Sequence, residues 1–297
     1  MKTHRGESGS QHISSPPDLT NEELACLIES ENASTFRIPM SLGEPHAEVD
    51  KRTTWISEIM GMIYKEGSVE KCALEPIYVR VPFLEFAISC LPTGLELLKE
   101  APRPCLIKTH LPVHLLPKSF LEKNCKIIYV ARNAKDVAVS FYYFYKMAKL
   151  HPEPGTWEEF LEKFLDGNVS FGYWYDHVKG WWDIREKYRI LYLFYEDMKE
   201  DPEQEIRKIM EFLERPADEN LVKKIAHHTS FKEMSQNPMA NYTGVPISFM
   251  DHTISPFMRK GIFGDWKEHF TVSQSEQLDG ICSQLLAGSG LTFRTEL

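Results

Sequence analysis

The sequence predicts an α/β fold of three layers, with a mostly parallel sheet flanked by helices. Three observations lead there. Short apolar runs rich in β-branched residues recur at "PCLIKTH" (104–110), "CKIIYVAR" (125–132) and "ILYLFYED" (190–197). Each run is continuous rather than alternating, as expected of strands buried on both faces. Stretches of helical periodicity separate them, and strand–helix alternation implies parallel strands joined by helical crossovers. In such sheets ligands sit at the carboxyl ends of the strands.

The first fifty residues read differently from the rest. "SGSQHISSPPD" has a linker's composition. "TNEELACLIES" follows, with Thr20 and Glu23 at capping-box spacing before a short apolar run. "MSLGEPHAEVD" carries no regular apolar pattern, and no strand is visible there. Residues 1–50 are therefore expected to form a divergent, poorly ordered N-terminal segment, and residues 51–297 the folded domain. From Thr53, the apolar residues Trp55, Ile56, Ile59 and Ile63 form one helical stripe. "PCLIKTH" and "CKIIYVAR" are expected to be neighbouring strands. A helix is expected from Ala134 to about Met147, another over "TWEEFLEKFL", and a third from Glu203 to Glu214. Asp201 can cap the last, Pro202 suits its first position, and Ile206, Ile209, Met210 and Leu213 make its buried face. From about Ser230 to Phe270 the pattern fades, as in a functional loop or lid.

Composition narrows the function. The 297 residues carry 34 basic and 43 acidic side chains, a net charge of −9, which argues against general nucleic-acid or membrane-surface binding. The six cysteines form no CxxC pair and no His cluster has zinc spacing, so no metal is expected. Scattered single cysteines, no membrane-length apolar run and a polar start without a signal-peptide core suggest a cytoplasmic protein.

Three stretches carry chemistry. In "LIKTHLP", Lys108 and His110 lie at a strand's carboxyl end, two residues apart and so on one side; a neutral histidine there can take a hydroxyl proton near pH 7. The alternative is a satisfied loop histidine beside a surface lysine. In "YVARNAKDVAVS", Arg132 ends a strand and Ser140 rides the following helix, a combination suited to phosphate; the alternative is an ion pair. In "SPFMRKGIFGDWK", Arg259 and Lys260 precede Gly261, where backbone can approach an anion closely; a solvated basic loop would read the same way.

Together these stretches, with "HPEPGTWEEFLEKF", "HVKGWW", "LYLFYEDMKEDP", "HHTSFKEM" and "NPMANYT", resemble the cytosolic sulfotransferases, most closely the aryl (phenol) branch. The resemblance runs from about Thr53 to Leu297. It implies a P-loop-like sulfotransferase fold, 3′-phosphoadenosine 5′-phosphosulfate (PAPS) as donor, and a small phenolic or aromatic hydroxyl or amine as acceptor. It further implies His110 as the base and Lys108 as a support for the transferring sulfonate. Arg132, Ser140, Phe257, Met258, Arg259, Lys260 and Gly261 would hold the 3′-phosphate. Tyr195, Thr229, Ser230, Phe231, Lys232, Glu233 and Met234 would line the adenine and ribose. Phe83, Phe86, Lys108, Thr109, His110, Phe144, His151, Tyr242 and Phe249 match acceptor positions. "KEHFTVSQSE", Lys267 to Glu276, matches the family's KxxxTVxxxE dimerisation segment and implies a homodimer.

One stretch departs from the pattern. The family's 5′-phosphosulfate loop reads TYPKSGTTW after a buried strand. The resemblance implies that Thr53, Thr54 and Trp55 bind the donor; anchored on them, this chain has Asp50 at the lysine position, Lys51 at the serine and Arg52 at the glycine. Lys51 is then the remaining candidate cation. Losing one preorganised donor costs about 10²- to 10³-fold in rate, so the departure raises a second reading: a sulfotransferase-fold nucleotide-binding protein with little catalysis.

Overall fold

The computed structural model of the chain describes residues 24–29, 51–86, 92–101 and 104–296. Among them lies a four-stranded sheet: β1 (Leu24–Glu29), β2 (Cys105–Thr109), β3 (Lys126–Ala131) and β4 (Ile190–Phe194), in the order β2-β1-β3-β4. Every pairing is parallel. Period-two alternation divides β3 between two cores. Ile128 and Val130 join Leu106, Leu193 and the helices Lys51–Tyr64 (α1), Pro202–Phe212 and Glu219–His228 on one face. Ile127, Tyr129 and Ala131 face the other way, toward Trp181. The helices Ala134–Met147 and Trp157–Leu165 pack with one another through Val137, Phe141, Phe160 and Phe164 in a further cluster. This is the three-layer α/β arrangement expected.

Two expectations are corrected. The run "LACLIE", read as a short apolar stretch behind a capping box, is strand β1, drawn from within residues 1–50. As a result "PCLIKTH" and "CKIIYVAR" share a sheet without being neighbours, because β1 lies between them. The physical reason is backbone satisfaction: two buried parallel edges facing one gap need a strand between them. The register closes that gap over the full length of β1, Leu24 to Ile28 along Cys105 to Thr109 and Ala25 to Glu29 along Lys126 to Val130. Thr20 and Glu23 lie outside the described residues.

The helices fall close to their expected bounds. Ala134–Met147 is as read, started by the Asn133 side chain accepting from the Asp136 N–H at 2.9 Å. The Glu203–Glu214 expectation becomes Pro202–Phe212, with Asp201 accepting from the Gln204 N–H at 2.9 Å and Pro202 in the first turn. The region from Ser230 to Phe270 is mostly turns, apart from a short helix Phe231–Gln236 and a 3₁₀ turn Asp265–Glu268.

α1 is anchored to the domain by a buried ionic network. Glu58, fully buried, accepts from Arg80 Nη2 at 2.6 Å and pairs with His228 Nε2 at 3.1 Å. Gly61 makes room for this network, since a Cβ there would meet Arg80 Nη1 at 2.7 Å.

Candidate active site

The three predicted strand ends deliver three predicted residues. His110 follows β2, Arg132 follows β3 and Tyr195 follows β4, so all reach the carboxyl edge of one parallel sheet.

At the β2 end, the segment 82–84 pairs with Lys108: Lys108 N–H donates to the Pro82 carbonyl at 2.9 Å, and Leu84 N–H to the Lys108 carbonyl at 2.8 Å. This pins Phe83 beside the catalytic candidates. Lys108 Nζ stands 4.8 Å from the Phe83 ring centroid, and the fully buried His110 ring meets Phe83 edge-on at 5.0 Å and Phe171 at 5.7 Å. Both backbone polar groups of His110 are fixed. Its N–H donates to Glu85 Oε1 at 2.8 Å, an oxygen that also accepts from the Thr109 hydroxyl. Its carbonyl accepts from His177 Nε2 at 3.0 Å. A carbonyl only accepts, so Nε2 of His177 carries the hydrogen and Nδ1 accepts from the Tyr129 hydroxyl at 2.8 Å. Burial pushes the Glu85 carboxyl up to about 7, against the lowering pull of its bonds to Thr109 and His110.

At the β3 end, the Arg132 guanidinium donates to the Ile262 carbonyl at 2.9 Å, pairs with Asp136 at 3.1 Å, and lies over the Tyr195 ring at 4.4 Å. Asp136 also accepts from the N–H groups of Gly264 (2.9 Å) and Trp266 (3.1 Å), which fastens the Phe257–Trp266 loop to the helix Ala134–Met147. In that loop Arg259 pairs with Asp265, and Lys260 Nζ lies 2.5 Å from Asp265 and 2.6 Å from Glu268. Burial works to raise the Asp265 carboxyl, but the bonds from Lys260 and Arg259 outweigh it and hold it below the usual range. Gly261 has φ of +61°, and a Cβ on it would fall 2.0 Å from the Phe231 ring. Glycine is needed here on both counts.

These elements enclose one cleft. Its walls include Trp55, Arg132, Ser140, Tyr195, Thr229, Phe231, Met234, Met258, Arg259, Lys260 and Gly261, all expected donor residues. Trp55 meets Tyr195 edge-on at 5.7 Å, which brings the first turns of α1 to the cleft. Other expected donor residues are not among the walls. Thr53, Thr54 and Phe257 are buried, the last with its ring 4.3 Å from that of Tyr242. The Ser230 hydroxyl accepts from the Glu233 N–H at 3.4 Å, and Lys232 is exposed. Asp50 and the side chains of Lys51 and Arg52 lie outside the described residues. Two wall residues, Lys199 and Ile262, were missed. Lys199 lies four residues after Tyr195 in the helix Tyr195–Glu200, on the same face, and that spacing could have found it.

The expected acceptor positions fall into two groups. Phe83, Lys108, Thr109 and His110 gather at the β2 end. Phe144 and Tyr242 share a buried apolar cluster, with His151 5.4 Å from Phe144. Phe86 and Phe249 are half-buried.

The sulfotransferase domain family matches residues 53–290. The chain is 61% identical to sulfotransferase 1A1 of Mus musculus over 245 residues, 82% of this chain and 84% of that protein. It is 59% identical to sulfotransferase 1 family member D1 of Mus musculus, over 82% of this chain and 83% of the relative. Among solved structures, mouse sulfotransferase SULT7A1 complexed with PAP is 31% identical with a TM-score of 0.69, covering 91% of this chain and 86% of that one. Retinol dehydratase in complex with androsterone and inactive cofactor PAP shares the fold at 22% identity, with a TM-score of 0.79 over 94% of this chain and 84% of that one.

Proposed function

The chain belongs to the sulfotransferase family, and on that premise we propose that it transfers the sulfonate of PAPS to the hydroxyl or amine of a small phenolic acceptor. The observation that carries the donor assignment is the cleft itself. In a chain of net charge −9, one hollow at the sheet's carboxyl edge gathers Arg132, Arg259 and Lys260 around a glycine that lets backbone approach closely. When bound, the donor supplies an activated sulfonate.

The remaining work falls to the protein. Arg132, Ser140, Arg259 and Lys260 hold the 3′-phosphate. Trp55, Tyr195, Thr229, Phe231 and Met234 enclose the nucleoside. Lys108 opposes charge on the transferring group, and group transfer of this phosphoryl-like kind relies on such positioning and charge. His110 takes the acceptor's proton, its backbone held from both sides. Phe83 and Phe86, with Phe144, His151, Tyr242 and Phe249, give flat rings a matching surface. Residues 51–297 constitute the sulfotransferase domain, to which the divergent segment 1–50 contributes β1. Lys267 to Glu276 forms a homodimer contact, and the protein works in the cytoplasm; among the described residues no helix is long and apolar enough to cross a membrane.

The test is sulfonate transfer from PAPS to a simple phenol, with His110→Ala alongside. The parent is expected to turn over, and the variant to lose at least about 10²-fold in rate while binding 3′-phosphoadenosine 5′-phosphate (PAP) as the parent does. A variant retaining the parent's rate would overturn the assignment of the base.

A further inference from the structure

We propose that Lys199 is a further donor-binding residue, a cation that meets a phosphate of the nucleotide on the Arg132 side of the cleft. The inference rests on the donor reading above and adds a residue to it.

The argument begins with the charges. Each other cation of the cleft already has an acid: Arg132 has Asp136 at 3.1 Å, Arg259 has Asp265, and Lys260 has Asp265 and Glu268. Lys199 differs. The acids of its own helix are engaged elsewhere, Asp197 and Glu200 with Arg294 at 2.5 and 2.6 Å, and Glu196 with the Asn133 N–H at 2.9 Å. Among the described residues Lys199 is part of no ion pair. Its ammonium stands 5.7 Å from the Trp55 ring, on the cleft wall.

Its surroundings disfavour the charge it carries. Burial is the larger cause and the positive Arg132 guanidinium the second; together they hold the Lys199 ammonium below the usual lysine range. A phosphate dianion entering the cleft reverses the balance, because an opposite charge within about 4–6 Å favours the charged form. Nucleotide binding must then raise the pKa of Lys199. By linkage, binding is accompanied by proton uptake over the range where the free protein has begun to lose this proton. The neighbouring lysine, Lys260, cannot give this signature, because it is already held up, first by its bond to Asp265 and then by that to Glu268.

The experiment is calorimetry of PAP binding in two buffers of different ionisation enthalpy, repeated from about pH 7 to pH 10, spanning the region where a depressed lysine titrates. It is run on the full chain, Lys199→Met and Lys199→Arg. For the parent, proton uptake is expected to grow toward the alkaline end. Lys199→Met is expected to bind PAP about tenfold or more weakly, the loss of one charged hydrogen bond, and to lose that growth in uptake. Lys199→Arg should keep the affinity and lose the uptake, because arginine does not titrate. Lys199 is half-buried on a helix surface, and a thermal melt matching the parent's checks that each variant is folded. If PAP binds the parent and Lys199→Met binds it equally with the same proton uptake, this inference is overturned and the donor reading stands. If the parent fails to bind PAP at millimolar concentration, the donor reading falls and takes this inference with it.

Discussion

Replacing Glu58 by Gln tests whether α1 is anchored from within the domain rather than by the residues that lead into it. The carboxylate is fully buried, and Arg80, its partner at 2.6 Å, is itself only 7% exposed. Solvent screening therefore takes little from the interaction. Removing one partner of a buried pair costs roughly 3–5 kcal/mol, because it strands the other charge. Glutamine keeps an acceptor for Arg80, so the lower end, about 3 kcal/mol, is expected. For a domain of this size that is a fall of roughly 6–12 °C in Tm. The control is Glu219→Gln, which breaks the exposed pair with Arg207 and should leave Tm near the parent's, because solvent screens an exposed pair. The pH dependence has a definite sign. Burial opposes the Glu58 charge, but the His228 and Arg80 bonds outweigh it and hold the carboxyl below its ordinary value. A depressed carboxyl contributes stability above its unfolded pKa and loses it as pH falls through the folded one. The gap between parent and variant should thus be full near pH 7 and narrow below about pH 4. Urea and thermal unfolding at both pH values measure it. A Glu58→Gln variant as stable as Glu219→Gln at pH 7 would refute the reasoning.

Three further outcomes are expected. Gly261→Ala places a Cβ 2.0 Å from the Phe231 ring at a φ of +61°, so PAP affinity measured by calorimetry should fall about tenfold or more. An unchanged affinity would mean that the loop does not close on the nucleotide. Tyr129→Phe removes the donor to His177 Nδ1 and leaves a buried acceptor unsatisfied, a cost of about 1–3 kcal/mol in unfolding experiments; kcat should drop while PAP binding holds, and a parallel loss of both would mark a purely structural role. Val272, 76% exposed within the proposed dimer segment, becomes costly to bury when changed to Asp, so sedimentation should show Val272→Asp as a monomer where the parent is a dimer; two dimers would dismiss that segment as the contact.

What the sequence disclosed follows from how local each signal is. β3 was readable because "KIIYVA" is apolar without a break, and a strand buried on both faces has no polar side to show. The helix Ala134–Met147 was readable because its apolar stripe and Asn133 cap are both local. The cleft was readable where one short motif supplied neighbouring walls, as at Arg259 to Gly261. Lys199 escaped because its meaning depends on the engagement of Asp197 and Glu200 by Arg294, nearly a hundred residues away.

β1 escaped for the strongest reason of this kind, and its position bears on the mechanism. Six residues flanked by polar sequence carry no local signature that separates strand from helix. What decides them is the pair of facing edges on β2 and β3, a feature of the assembled sheet. By filling that gap β1 sets β2 and β3 two strand spacings apart, roughly 9–10 Å. That separates His110, just past β2, from Arg132, just past β3. The proposed base and the proposed phosphate cation are thus divided by the width of one strand, and β1 ends between them with Glu29 opposite Val130. On the proposed roles, a donor held at its 3′-phosphate by Arg132 would extend toward His110 across the end of β1. On the same roles, the grip on the nucleotide lies at the β3 side with Arg132, Arg259 and Lys260, and the transfer chemistry at the β2 side, where Lys108 and His110 flank Phe83.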